Sequence, residues 1–280
     1  MVKLYQSASV GVMMMAAGCA AAFVGAVSAQ GISVGDVIVA DTNARAIFYV
    51  DPSTGNRTIL SGSSAGSGPA FNNLGGITVD ATGAILVVDQ QNGVVRVDPF
   101  TGNRTVISGS GVGSGPAFNA FGQEISVAAN GDIYVARAVD NALLRVDPLT
   151  GDRTIVSSNS IGTGPAFGFT APAGLELSGS TAFVTDTSND RVVSIDLATG
   201  DRTTLSGSGV GGGTGFGNLR GMGMDASGNL IVADNTRGPV GSLFSVNPVT
   251  GDRTILTQMD LADGPFTRNP EFIVVNDDGT

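Results

Sequence analysis

From about residue 36 onward the chain alternates short apolar runs, rich in Val and Ile, with breaks that carry Gly, Asn or Asp. Runs of that length between turn residues predict β-strands, and no later segment sustains a helical period. One stretch shows the plan: strands are expected at Ile77–Asp80, Ala84–Asp89, Val94–Asp98 and Arg104–Ser108. Ala81-Thr82-Gly83 joins the first two and Pro99-Phe100-Thr101-Gly102-Asn103 the last two. Both links have hairpin chemistry, since Pro presets one turn dihedral and Gly supplies the left-handed one.

The same unit recurs. Asp-Pro-x-Thr-Gly-Asn/Asp-Arg-Thr begins at Asp51, Asp98 and Asp147, in altered form at Asp196, and again at Asn247, at intervals of 47 to 51 residues. That period, with four strands per unit and a Gly-rich crossover between units, predicts an all-β propeller of four-stranded antiparallel blades; a β-helix has shorter, parallel coils. The crossovers are Ser61–Phe71, Ser108–Phe118, Ser157–Phe167, Ser206–Phe216 and Gln258–Phe266. Each ends in Phe, and Phe71, Phe118, Phe167, Phe216 and Phe266 are expected to pack between blades. The first unit starts at a second strand, Asp36–Asp41, and the last ends after a first strand, Phe272–Val275. Pairing the two predicts five blades, with the C-terminal strand closing the first blade and hiding both edges. A longer parent chain would hold six or more.

Met1–Ala29 reads as a signal peptide: Lys3 precedes a run of apolar and small residues ending in Val27-Ser28-Ala29. Residues 30–280 are then the propeller domain, secreted or periplasmic. A lipoprotein signal at Cys19 is the rival, but Ala16-Ala17-Gly18-Cys19 lacks the usual large aliphatic residue. Nothing after the leader is apolar enough for a transmembrane span. The formal charge of -10 argues against nucleic acid as a partner. Cleavage removes the single Cys, so disulfides are not expected in the mature fold.

Each unit carries a pattern like Gly-Ile-x-Val-Asp-x-x-Gly-x-Ile-x-Val-x-Asp, as at Gly76–Asp89 and Gly221–Asp234. It resembles the NHL-repeat and gluconolactonase-like propellers over nearly all of the chain after Gly35. That resemblance implies the fold, in a superfamily that includes binding scaffolds, lyases and metal-dependent lactonases. The lactonase-like enzymes use a Glu-Gly-Pro motif and a divalent cation in the channel, whereas here Asn269-Pro270-Glu271-Phe272 inverts the order. Lyases of the streptogramin type depend on a His general base, and this chain has 0 His. Serine, cysteine and histidine-relay mechanisms are excluded in their common forms, which leaves carboxylate chemistry.

Two kinds of position remain. Repeated ones read first as structural: Arg57, Arg104, Arg153, Arg202 and Arg253 are expected to brace the outer hairpin with Asp. Asp41, Asp89, Asp186 and Asp234 close the second strands, with Arg137 in the third unit. These carboxylates either accept amides of their own turns or, converging on one face, hold Ca²⁺. Arg137 is expected to pair with a neighbouring Asp. The Gly-rich runs, such as Gly109–Gly115, precede strands rather than helices and so are not phosphate loops. Positions that break the repeat read as function: Gln123, Glu124, Arg220 and Glu271, near the start of the inner strands, are the candidate ligand-binding residues. The expectation is a monomeric binding and interaction scaffold whose crossover-loop face takes a protein or carbohydrate ligand. The alternatives are a divalent-metal-dependent lactonase-like hydrolase with its site at the channel mouth, and a structural envelope protein.

Overall fold

The computed structural model describes residues 5–7, 10–12, 32, 36–109, 111–118, 123–168, 174–235 and 241–257. The fold is all-β, a five-bladed β-propeller in which four sheets have four strands and the first has five, and no described residue is helical. The first blade holds β3 (Val37–Asp41), β4 (Ala46–Val50) and β5 (Arg57–Ser61). The second holds β6 (Leu74–Val79), β7 (Ile85–Asp89), β8 (Gly93–Val97) and β9 (Arg104–Gly109). The third holds β10 (Gln123–Val127), β11 (Ile133–Arg137), β12 (Ala142–Val146) and β13 (Arg153–Ser158). The fourth holds β14 (Leu175–Ser178), β15 (Thr181–Asp186), β16 (Arg191–Asp196) and β17 (Arg202–Ser206). The fifth holds β18 (Leu219–Met224), β19 (Leu230–Asp234), β20 (Ser242–Val246) and β21 (Arg253–Thr257). In the last four blades the strands pair in chain order.

The predicted strands of the second unit shift by one to three residues. Asp80 and Asp98 fall out of the strands because each closes a turn: Asp80 accepts the amides of Thr82 and Ala84, and Asp98 those of Phe100 and Thr101. The first strand starts earlier, at Leu74, through a register shift between Leu74 and Ile77 that sets Gly75 and Gly76 against the single residue Val88. The β18–β19 pair of the fifth blade bulges in the same place, between Leu219 and Met222.

The strand expected to complete the first blade, Phe272–Val275, lies outside the described residues. Beside β3 the structure places Val10–Val12 (β2), which runs parallel to it with Gly11 opposite Val37, and a hairpin partner at Tyr5–Ser7 (β1).

The second strand of a blade is buried on both faces. Ile85–Asp89, Ile133–Arg137 and Leu230–Asp234 are buried at every position, which is why they read as continuous apolar runs rather than alternating ones. The fourth and fifth blades interdigitate. Phe183, Val192 and Leu205 of the fourth blade form one cluster with Phe216, Leu219, Met222, Leu230, Val232, Phe244 and Val246. Each fully buried side chain of this size contributes about 1.5–3 kcal/mol of transfer free energy. Phe216 meets Phe244 edge-on, with centroids 5.1 Å apart. Phe71, Phe118, Phe167 and Phe216 are all buried, as their position in the crossovers predicts; Phe266 lies outside the described residues.

By its contacts the chain divides into two compact units, and the division runs through the third blade.

Candidate functional site

The repeated arginines are fold chemistry, though not the brace expected from their place beside Asp. Arg104, Arg202 and Arg253 are buried, and each turns its guanidinium onto the crossover that leads into its own blade. Arg Nε donates to a carbonyl there, of Pro69, Pro116, Pro165 or Thr214, at 2.6–2.9 Å. Nη1 donates to Ser61, Ser108, Ser157 or Ser206 at 2.7–2.9 Å, and to the carbonyl of Ala65, Val112, Ile161 or Val210 at 2.7–3.1 Å. The flat face stacks on Phe71, Phe118, Phe167 or Phe216 at 5.0–5.4 Å. A planar fork with several donors suits a loop that presents several carbonyls. Burial holds Arg104 and Arg202 below the ordinary arginine range. Arg57 differs in being exposed.

Each clamp serine completes its valence by donating to a glycine carbonyl in the next outer turn, Gly102, Gly151, Gly200 or Gly251, at 2.5–2.7 Å. These serines are wholly buried. They stand at one repeat position, Ser61, Ser108, Ser157 and Ser206, a periodicity that could have revealed them in the sequence.

The recurring carboxylates are held by amides. Asp41 accepts Asn43 and Ala44 at 2.9 Å each. Asp89, wholly buried, accepts Asn72 at 2.6 Å, Gln91 at 3.0 Å and Asn92 at 2.8 Å. Asp234 accepts Gly217 at 2.5 Å and Asn218 at 3.1 Å. Asp186 accepts Gly168 at 3.0 Å and pairs with Arg191 at 2.7 Å. Asp89, Asp186 and Asp234 thus fasten the end of the second strand to the end of the crossover, whereas Asp41 caps its own turn. Among the described residues no three His, Cys, Asp or Glu gather as a metal shell. Each of these four carboxylates is engaged by groups of its own blade.

The repeat-breaking residues are different. In the third blade Glu124 stands where its neighbours have Gly76, Gly174 and Gly221, and Arg137 where they have Asp; both are buried to 4% exposure. Arg137 pairs with Asp140 through Nε at 2.9 Å and through Nη2, the acidic neighbour the sequence called for. In the fifth blade Arg220 sits on the β18 bulge, half-buried, and its Nε is enclosed without a hydrogen-bond partner. Asn235, one residue past Asp234, encloses its Oδ1 in the same way, a residue that sequence reasoning passed over. Gln123 opens β10; Glu271 lies outside the described residues.

The sequence matches no family profile and no curated protein. Solved structures match the fold. One is the crystal structure of a nidogen/laminin complex, with a TM-score of 0.57 at 16% identity over 82% of this chain and 79% of that one. A second is virginiamycin B lyase from Staphylococcus aureus, TM-score 0.57 at 15% identity, over 84% of this chain and 69% of the lyase. Both likenesses are of fold, that of a β-propeller. A third similar structure is a structural genomics protein of unknown function from Bacteroides thetaiotaomicron, TM-score 0.58 at 15% identity, over 89% of this chain and 62% of that one. Propellers of this kind thus include one solved in a binding complex and one lyase, and likeness at this level speaks for architecture alone.

Proposed function

We propose that this chain is an exported binding propeller, secreted or periplasmic and monomeric, whose partner docks on the crossover face at the inner-strand entries of the third and fifth blades. The observation that carries this reading is the split between the two classes of polar residue. Apart from Arg57 and Asp41, the repeated Arg, Ser and Asp side chains of these positions are engaged in joining crossover to blade. The polar residues that break the repeat, Glu124 and Arg220, stand near the start of inner strands, and Arg220 keeps an enclosed donor unmet. A repeat protein needs such asymmetry to present one specific surface, and enclosed polar groups without partners invite a ligand that supplies them. The likeness to a propeller solved within the nidogen/laminin complex supports a binding role.

The test uses the purified chain on an immobilised panel of extracellular-matrix proteins and glycans, beside Arg220→Ala and Glu124→Gln. Arg220→Ala should abolish retention while leaving the melting temperature unchanged, because its Nε makes no internal hydrogen bond to lose. Retention equal to that of the native chain in both variants overturns the proposal.

A further inference from the structure

The second and fifth blades share one scaffold at the inner-strand entry. In both, a bulge sets two residues of the first strand against one of the second: Gly75 and Gly76 against Val88, and Arg220 and Gly221 against Ala233. In both, the residue after the buried Asp hydrogen-bonds back through its amide, Gln90 to the Asn73 carbonyl at 2.9 Å and Asn235 to the Asn218 carbonyl at 3.1 Å. The side chains then diverge. In the second blade Gln90 Oε1 accepts Asn73 Nδ2 at 2.9 Å, and the place of Arg220 is taken by Gly75, so nothing is left over. In the fifth blade the same two places hold a buried donor, Arg220 Nε, and a buried acceptor, Asn235 Oδ1, neither with a partner. Leu219 lies opposite Asp234 in the register, so these two residues flank one cross-strand pair, and a bulge is where a strand re-aims a side chain.

We infer that Arg220 and Asn235 together receive a neutral hydroxyl group, the group a saccharide presents, which names the ligand class for the docking reading above and rests on it. A hydroxyl meets both needs at one atom, accepting from Nε and donating to Oδ1. A carboxylate answers Nε but sets an acceptor against Oδ1, beside the wholly buried Asp234 in a chain of net charge -10. An ammonium answers Oδ1 and is repelled by the guanidinium.

Saturation-transfer NMR on the full chain, with maltose, cellobiose, lactose and chitobiose as probes and galacturonate as the anionic comparator, tests this. At least one neutral sugar should show saturable transfer exceeding that of galacturonate. Arg220→Lys, which keeps the charge and loses Nε, and Asn235→Leu should each weaken that binding about tenfold or more, while Asn235→Asp, which keeps an acceptor oxygen, retains it. No transfer from any neutral sugar, transfer from galacturonate alone, or full binding by Arg220→Lys overturns the assignment. If sugars fail while Arg220→Ala still loses a protein partner on the panel, the docking reading stands and the hydroxyl site falls; if that variant loses nothing either, both fall.

Discussion

The guanidinium of Arg202 lies over the ring of Phe167, 5.0 Å from its centroid, while its Nη1 reaches the wholly buried hydroxyl of Ser157 at 2.9 Å. One side chain on the fourth strand of a blade thereby fixes the last residue of the crossover, the carbonyls along it, and a serine at the end of the preceding blade. Four arginines do this work in the described structure.

Lysine cannot replace that fork. Arg202→Lys keeps the charge but loses Nε, the stacked plane and most of the donors, leaving the Pro165 carbonyl and its neighbours without their partner. Loss of a buried network of this kind destabilises by about 2–4 kcal/mol, read as a lower midpoint in urea unfolding. Arg57 holds the same repeat position but is exposed, so Arg57→Ala should stay within about 0.5 kcal/mol of the native chain. Equal losses at the two positions would show that the clamp is not what stabilises the blades.

How much of this was written in the sequence differs from residue to residue. The blades were legible because every unit repeats its turn chemistry, and Asp98 and Thr101 cap a turn by bonds that span a few residues. Arg202 was legible as recurrent but not as a clamp. Its partners are crossover carbonyls far back in the chain, and a carbonyl has no identity in the sequence; the nearby Asp was the visible candidate and the wrong one. Arg220 stood out because it breaks a repeat. Asn235 did not, since an Asn after an Asp resembles any turn, and only the enclosure of its Oδ1 sets it apart.

Close approach of crossover and outer turn gives a second prediction. Gly113 has φ +68°, and a Cβ there would stand 1.9 Å from the Gly151 carbonyl oxygen. Gly111, two residues earlier, has φ +79° with nothing within 4 Å. Gly111→Ala therefore meets only the left-handed backbone penalty, about 1–2 kcal/mol, whereas Gly113→Ala must also push the crossover off the blade and should cost about 2 kcal/mol more. Denaturant midpoints of the two variants that coincide would mean the crossover yields freely.

Acid should loosen the outer turns, and the sign follows from which form the fold favours. Hydrogen bonds from Ser53 and Thr54 lower Asp51 to about 2, and bonds from the facing crossover hold Asp152, Asp201 and Asp252 below the ordinary carboxylate range. A carboxyl whose folded pKa lies below its unfolded value of about 3.9 adds stability that is complete above that value and is lost as pH falls toward the folded pKa. With 0 His in the chain, no imidazole titrates in the neutral range. The melting temperature should therefore hold level from about pH 8 to pH 5 and fall steadily below about pH 4. Asn103 shows that Asn is accepted at this turn position, where its Oδ1 still takes the Ser67 amide at 2.8 Å. The triple variant Asp152→Asn, Asp201→Asn, Asp252→Asn keeps those acceptors while removing their titration, so its decline below pH 4 should be shallower than that of the native chain. An unchanged acid slope in that variant, or a native melting temperature already falling between pH 8 and pH 5, would place the acid-sensitive groups elsewhere.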